Sequence, residues 1–278
     1  MKRRDFSNSM FVAEQRYIQS IHETTDLRNP DTLIRHFLPA LRRWRCTWLS
    51  QRQLAVLRSD PFYYYLVART KYYDSVFLDA ISDNVQYIIN VGCGSDTRSH
   101  RFEHILKQKG VRVLECDQSE AISDKQQMAK RWGSFDHIAY VSIDLNDDEW
   151  PDFEHWLGKN NTAKALVLME GVSPYVNVET FGRFLSLLAR ELPAGSRVAY
   201  DYKLRGVADD FGLVGRTQRP FRLTAIIEEV VGYHKELGYR LDYMERSSDL
   251  SARLLTGLVK SSASLFTEDC LIQLDVAY

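Results

Sequence analysis

Cysteine is scarce: four in 278 residues, at Cys46, Cys93, Cys116 and Cys270, and no two form a C-x-x-C pair. That spacing argues against a zinc site and against a disulfide framework, and it fits a reducing cytoplasm. No stretch approaches the roughly 20 consecutive apolar residues of a membrane helix. Met1-Lys-Arg-Arg is followed by Asp5-Phe-Ser-Asn with no apolar run behind it, so no secretory leader is expected. A charge excess is also missing. The net charge of −1 excludes the whole-chain basic footprint of a nucleic-acid binder. No metal ligand set is expected, and neither repeats nor low-complexity segments occur. Oligomeric state has no signature here.

What remains is an ordinary globular composition, 45% hydrophobic and 26% charged. Charge is uneven within it: residues 1–60 hold eleven Lys/Arg against six Asp/Glu, including Arg42-Arg43-Trp44-Arg45. A solvated helix face explains this most simply; an acidic substrate or a membrane surface is the alternative. Apolar residues at helical spacing predict helices over 8–24 and 31–57, with Pro39 a kink or a start. Asp60-Pro61 places a cap before proline at the first helical position and opens a third helix over Phe62–Ile81. Residues 1–85 therefore read as a helical segment covering the site.

From Val85 the pattern alternates. Strands are expected at 86–91, 111–116, 137–142, 164–169 and 196–202, with helices at 98–109, 119–132, 148–158 and 177–191 between them. Residues 204–220 read as a lid-like loop, followed by a helix at 222–236 and two last strands at 239–244 and 270–276. Alternating βα units mean a mostly parallel sheet covered on both faces. The expected fold is thus α/β: a Rossmann-like, seven-stranded sheet with its last strand antiparallel, spanning 86–278 behind the helical segment.

Gly92-Cys-Gly-Ser-Asp-Thr-Arg98 follows the first strand. Two glycines one residue apart allow a sharp turn and a close ligand approach, and a helix start follows: a nucleotide site. The third glycine of a dinucleotide fingerprint is replaced by Thr97. Asp96 stands at the helix N-terminus, where its carboxylate takes up backbone N–H groups that would otherwise hold a phosphate. A phosphate-free cofactor fits better, and S-adenosylmethionine (SAM) is one. Asp117 ends the second strand about 23 residues after Gly94, where an acid can accept ribose hydroxyls. Asp144-Leu145 ends the third strand and can take an adenine amine and ring. Glu170 ends the fourth.

In order along the chain, Ala68-Arg-Thr-Lys-Tyr-Tyr-Asp74, Gly92-Cys-Gly-Ser-Asp-Thr-Arg-Ser-His-Arg101, Glu115-Cys-Asp-Gln118, Asp144-Leu145 and Glu170-Gly-Val-Ser-Pro-Tyr175 resemble the leucine carboxyl methyltransferase family of SAM-dependent class I methyltransferases, its bacterial members most of all. The resemblance covers roughly residues 60–203 and is weakest over the first 60. It implies that Arg69 binds the methionine carboxylate of SAM and that Gly92 and Gly94 pass beside the methionine part. It places ribose on Asp117, with Gln118 in the same motif, adenine on Asp144 and Leu145, and the methionyl end on Glu170. Cys93, His100 and Pro174 depart from the family pattern. The expected reaction is methyl transfer to oxygen, a small-molecule carboxylate ahead of a hydroxyl. Arg101, Arg205, Tyr175 and Tyr202 are candidate clamps, and His100 is the candidate base for a hydroxyl acceptor. A protein C-terminal carboxylate, a nicotinamide-dependent oxidoreductase and a non-catalytic SAM-binding protein are the alternatives.

Overall fold

The computed structural model describes residues 2–133, 135–207, 219–255 and 265–277, with side chains from residue 9. The loop expected at 204–220 lies largely outside the described residues. The chain folds into two compact units. The first is Met1–Val76 with Gly94–Glu103 and Ser247–Thr267; the second is Phe77–Cys93, His104–Arg246 and Glu268–Tyr278.

The helices α1 (Lys2–His22), α2 (Ala40–Thr47), α3 (Gln51–Ser59) and α4 (Pro61–Ser82) open the chain. The single helix expected over 31–57 is instead a 3-10 turn (Leu33–His36) followed by α2 and α3. Pro39 is the reason for the first break: it is the N-cap of α2, where its missing N–H costs nothing. Ser50 makes the second break, because its hydroxyl and the Gln53 side chain form a reciprocal capping box. Asp60 does cap α4, accepting the Phe62 N–H at 2.9 Å. Ala13, Tyr17, Ile18, Ile34, Leu38, Cys46, Leu54 and Tyr63 form one buried apolar cluster in this unit.

The second unit carries the sheet. Its strands are β1 (Tyr87–Val91), β2 (Arg112–Asp117), β3 (Ile138–Ser142), β4 (Ala165–Met169), β5 (Arg197–Leu204), β6 (Arg222–Leu223), β7 (Tyr239–Arg246) and β8 (Asp269–Val276). The order is β3-β2-β1-β4-β5-β8-β7, with β6 paired to β5. All pairs from β3 through β5 are parallel, and β8 runs antiparallel to both β5 and β7. β4 is buried at every position, as a strand covered on both faces must be. The expected strands are present, and one is added: β6 pairs in parallel beside the end of β5, so the sheet has eight strands rather than seven. The helix expected at 222–236 accordingly begins at Ile227, as α10 (Ile227–Glu236). The helix expected at 98–109 divides into α5 (Arg98–Arg101) and α6 (Glu103–Lys109), and α7 (Ser119–Lys130), α8 (Pro151–Asn160) and α9 (Val178–Glu191) follow their strands. α11 (Ser247–Leu255) carries no counterpart in the expectation.

The chain leaves β1 toward β2 and β3 on one side, then returns to β4 on the other. The C-terminal ends of β1 and β4 therefore flank the switch point, where open α/β sheets bind ligands.

One core group makes this unit acid-sensitive. His234 on α10 is fully buried. Its Nδ1 lies 2.6 Å from the Val230 carbonyl, which can only accept, so Nδ1 carries the proton and Nε2 accepts the Tyr200 hydroxyl at 2.6 Å. Burial pushes its pKa down to about 4 from 6.5, against the Val230 bond. The unfolded chain therefore binds the extra proton first. The stabilisation is complete above pH 6.5 and is lost as pH falls through about 4, in total about 3 kcal/mol. Denaturant unfolding at pH 7 and pH 4.5 should show this loss, and His234→Gln, which keeps an acceptor for Tyr200, should flatten it. An identical pH dependence in that variant removes His234 as the cause.

Candidate functional site

The turn after β1 is left-handed at Gly92 (φ 66°) and Gly94 (φ 37°). A Cβ on Gly92 would overlap the Val172 side chain, so only glycine fits there. Cys93 between them is buried and fixed from two sides: its N–H donates to the Cys116 carbonyl at 3.0 Å, and its carbonyl accepts from Lys125 Nζ at 3.2 Å. Lys125 in turn contacts Glu115 Oε2 at 2.6 Å, with both side chains fully buried, and Asn90 Nδ2 donates to the same oxygen at 3.2 Å. Burial pushes the Cys93 thiol well above its ordinary pKa, so it is a small neutral filler.

At the ends of β2 and β3 a row of acids and amides forms. Asp117 accepts the Gln118 N–H at 2.7 Å, and Gln118 Nε2 donates to Asp144 Oδ2 at 2.7 Å. Asp144 Oδ1 accepts the Asn146 N–H at 2.9 Å, while Trp150 Nε1 donates to the Asp144 carbonyl at 2.9 Å. Asn146 then donates to the Tyr175 carbonyl at 2.9 Å and accepts the Asn177 N–H at 3.0 Å. Leu145 is only 7% exposed and belongs to the core. Glu170 directly follows β4. The next residue, Gly171, is left-handed (φ 69°) and donates its N–H to Asp201 Oδ1 at 2.7 Å. Ser173 donates to the Asp201 carbonyl at 2.8 Å. Asp201, buried on β5, thus fixes the loop that carries Glu170.

The first unit holds a second polar array. Asp96 Oδ1 accepts the Arg98 N–H at 2.9 Å, as the capping expectation requires, and its Oδ2 meets Arg98 Nη1 at 2.7 Å. Arg98 Nε also reaches Asp74 at 2.8 Å. Arg101 grips Asp74 with both terminal nitrogens, at 2.8 and 2.6 Å. Burial is the largest influence and works against the Arg101 charge, but the Asp74 hydrogen bonds and the charges of Asp74 and Asp31 together outweigh it and its pKa is raised. Thr97 donates to Asp31 at 2.5 Å and accepts from Arg101 Nε at 3.1 Å, so its hydroxyl does not cap the helix. Arg16 lies 3.9 Å from Asp31. Three guanidiniums thus balance three carboxylates, as buried charges require. Burial raises the pKa of Asp31 even against the two arginines beside it.

Arg69, on α4, is buried with its guanidinium 5.9 Å from the Phe62 ring and 5.8 Å from that of Tyr65. These are cation–π distances. Tyr65 stacks on Phe266 at 4.7 Å. His100 is buried, with Nδ1 3.1 Å from the Ser99 hydroxyl.

The family model of leucine carboxyl methyltransferases matches residues 9–189, well over half of the chain. The chain belongs to the leucine carboxyl methyltransferase family. Similar bacterial proteins carry names that assign them provisionally to the S-adenosyl-L-methionine-dependent methyltransferases. One from Mycobacterium sp. (strain JLS) is 29% identical over 224 residues, 74% of this chain and 71% of that one. One from Streptomyces avermitilis is 24% identical over 210 residues, 74% and 72% of the two chains. With a Mycolicibacterium gilvum relative, identity is 28% over 138 residues, and the match spans 49% of this chain and 44% of that one, less than half of either protein. In fold, the chain is similar to the magnesium protoporphyrin IX methyltransferase of Synechocystis PCC 6803 solved with bound SAM. The TM-score is 0.51 at 13% identity, over 95% of this chain and 97% of that one.

In this member of the leucine carboxyl methyltransferase family, Asp117, Gln118 and Asp144 are joined in one hydrogen-bonded row, with Tyr175 linked to it through Asn146. Gly92 and Glu170 follow the adjacent strands β1 and β4. Arg69, Gly94, Asp96, His100 and Arg101 belong to the first unit. Asp96 occupies the Arg98 N–H and is paired with the Arg98 guanidinium, so it presents no uncompensated charge at the helix start. Tyr202 donates its hydroxyl to the Thr224 carbonyl at 2.9 Å. Sequence reasoning missed Asn146, Asp201 and Lys125. Lys125 lies ten residues after Glu115, a spacing with no helical or strand meaning, so only the fold brings the two together.

Lys125→Met removes one charge of a fully buried pair and leaves Glu115 uncompensated. The expected loss is about 3–5 kcal/mol in denaturant unfolding. The double variant Lys125→Met/Glu115→Gln should recover part of it. A loss under about 1 kcal/mol for the single variant would show that the pair is not sequestered from water.

Proposed function

We propose that the chain is a SAM-dependent O-methyltransferase that esterifies a carboxylate on a small molecule, of natural-product or polyketide type, in the cytoplasm. The observation that carries this reading is the Asp117–Gln118–Asp144 row at the sheet's carboxyl edge. Carboxylate and amide oxygens accept hydrogen bonds from ribose hydroxyls and an exocyclic amine, and carboxylates repel phosphates. Gly92 supports it, since the left-handed turn after β1, packed against Val172, needs a residue without a Cβ. The thiols, all free and buried, suit the reducing compartment.

When bound, SAM supplies an electrophilic methyl group on a sulfonium. The chain's own work is then positioning. In this reading Asp117 holds the ribose, Asp144 the adenine amine and Glu170 the methionyl end, with Gln118 and Asp201 fixing their geometry. Arg69 takes the methionine carboxylate, for which a guanidinium is the matching shape. A carboxylate acceptor needs no proton removed; it needs a donor to orient it. Tyr175 offers a hydroxyl for that task. Arg101 is held bidentately by Asp74, so we assign it to bracing rather than to the acceptor.

Incubation with methyl-labelled SAM and a panel of carboxylic acids and phenols tests the acceptor class. The expected product releases labelled methanol on mild alkaline hydrolysis, as a methyl ester does; an alkali-stable product would mean a hydroxyl acceptor. Arg69→Ala should weaken SAM binding at least tenfold while the circular dichroism stays unchanged. Unaltered affinity would take Arg69 out of the site.

A further inference from the structure

The first unit carries a surface that the methyl-transfer reading does not use. Between Asp31 and Asp60 the sequence has no acidic residue, yet it has six arginines: Arg35, Arg42, Arg43, Arg45, Arg52 and Arg58. Arg42 pairs with Glu14 at 2.9 Å and Arg58 with Glu23 at 2.8 Å. Arg35, Arg43, Arg45 and Arg52 have no acidic partner among the described residues. Large apolar side chains stand among them. Leu41 is 69% exposed, Trp44 61%, Trp48 72% and Val56 65%. Leu41, Trp44 and Trp48 are spaced three and four residues apart on α2 and its C-cap, so they share one face. Cys46, on the other side of that helix, is buried in the unit's core.

Exposed tryptophans cost free energy in water unless something covers them, and an apolar helix face such as that of Leu41, Trp44 and Trp48 marks a contact surface. The arginines decide what covers it. A second copy of this chain would set arginine against arginine across a twofold axis, which is repulsive. A surface rich in phosphate or carboxylate is complementary. Indole and guanidinium together are the residues of a lipid interface: the ring settles at headgroup depth while arginine binds phosphate bidentately. Among the described residues no helix is long and apolar enough to cross a membrane, so the contact would lie in the interfacial plane.

We propose that α2, its C-cap and the start of α3 form a docking surface for an anionic membrane, with Leu41, Trp44 and Trp48 inserted at headgroup level and Arg45 and Arg52 on lipid phosphates. Docking of this kind would bring the enzyme to lipophilic acceptors that partition into the bilayer. That consequence rests on the proposed function; the docking itself does not.

Vesicle flotation with the full chain tests it, using pure phosphatidylcholine and phosphatidylcholine with about one third phosphatidylglycerol. The expected result is binding to the anionic vesicles only, weakened by high salt, with a blue shift of tryptophan emission. Trp44→Ser/Trp48→Ser and Arg45→Glu/Arg52→Glu should each reduce it at least tenfold, with melting temperature and circular dichroism unchanged. Either binding that is equal on both vesicles or binding that survives both double variants overturns the proposal. So does a stable dimer in light scattering that Trp44→Ser/Trp48→Ser dissolves, because that face would then be an interface between copies. Methylation of a water-soluble acid by the docking variants at the wild-type rate would separate the two readings: loss of docking leaves the chemistry intact.

Discussion

A buried ion pair sits beneath the turn on which the candidate site depends. Glu115 and Lys125 meet at 2.6 Å with no exposure to solvent, and Lys125 spends another donor on the carbonyl of Cys93. Desolvating both ions costs several kcal/mol, and their attraction in a low dielectric offsets it only when the remaining groups are satisfied. Asn90 supplies part of that satisfaction to Glu115. Net stabilisation from such a pair is small; its larger effect is to specify geometry. The pair ties α7 to β2 and to the backbone between two left-handed glycines. The Cys93 N–H bond to Cys116 adds a second tie, continuing the register in which Val91 faces Cys116. The end of β2 is fixed by the same contacts, and Asp117 stands there.

From that end the polar groups extend in a single row. Asp117 has one oxygen engaged by a neighbouring amide and Asp144 has both, so their positions are set before any ligand arrives, which is what preorganisation requires. Asp201 does the same for the loop after β4. The first unit shows the same economy in another form. Arg98 and Arg101 are both held by Asp74, and Asp31, Asp96 and Arg16 complete a neutral set. Removing any one member would leave an uncompensated buried charge, so the array locks the short α5 in place far more tightly than its four residues could alone.

The sheet was legible because its strands are short apolar runs between turn residues, and period and length together determine them. β6 was hidden: two residues have no periodicity, and only the end of β5 makes them a strand. The break at Ser50 was readable in principle from Ser50 and Gln53, since the capping box is a local pattern. α11 was obscured by its polar start, Ser247-Ser248-Asp249, which resembles a loop as much as a helix cap. For the candidate site, strand-end acids were visible because their positions follow from strand boundaries. The pairing of Arg101 with Asp74 and of Lys125 with Glu115 was not, because contacts across 27 and 10 residues depend on packing rather than on spacing. Arg101 looked like a free clamp for the same reason.

Selection of a phosphate-free nucleoside cofactor is the central property assigned to the site. Calorimetric titration of the full chain with S-adenosylhomocysteine and with NADH, side by side, tests this most directly. Saturable binding of S-adenosylhomocysteine with no heat from NADH is the predicted result. Tight binding of NADH without binding of S-adenosylhomocysteine or SAM would contradict it.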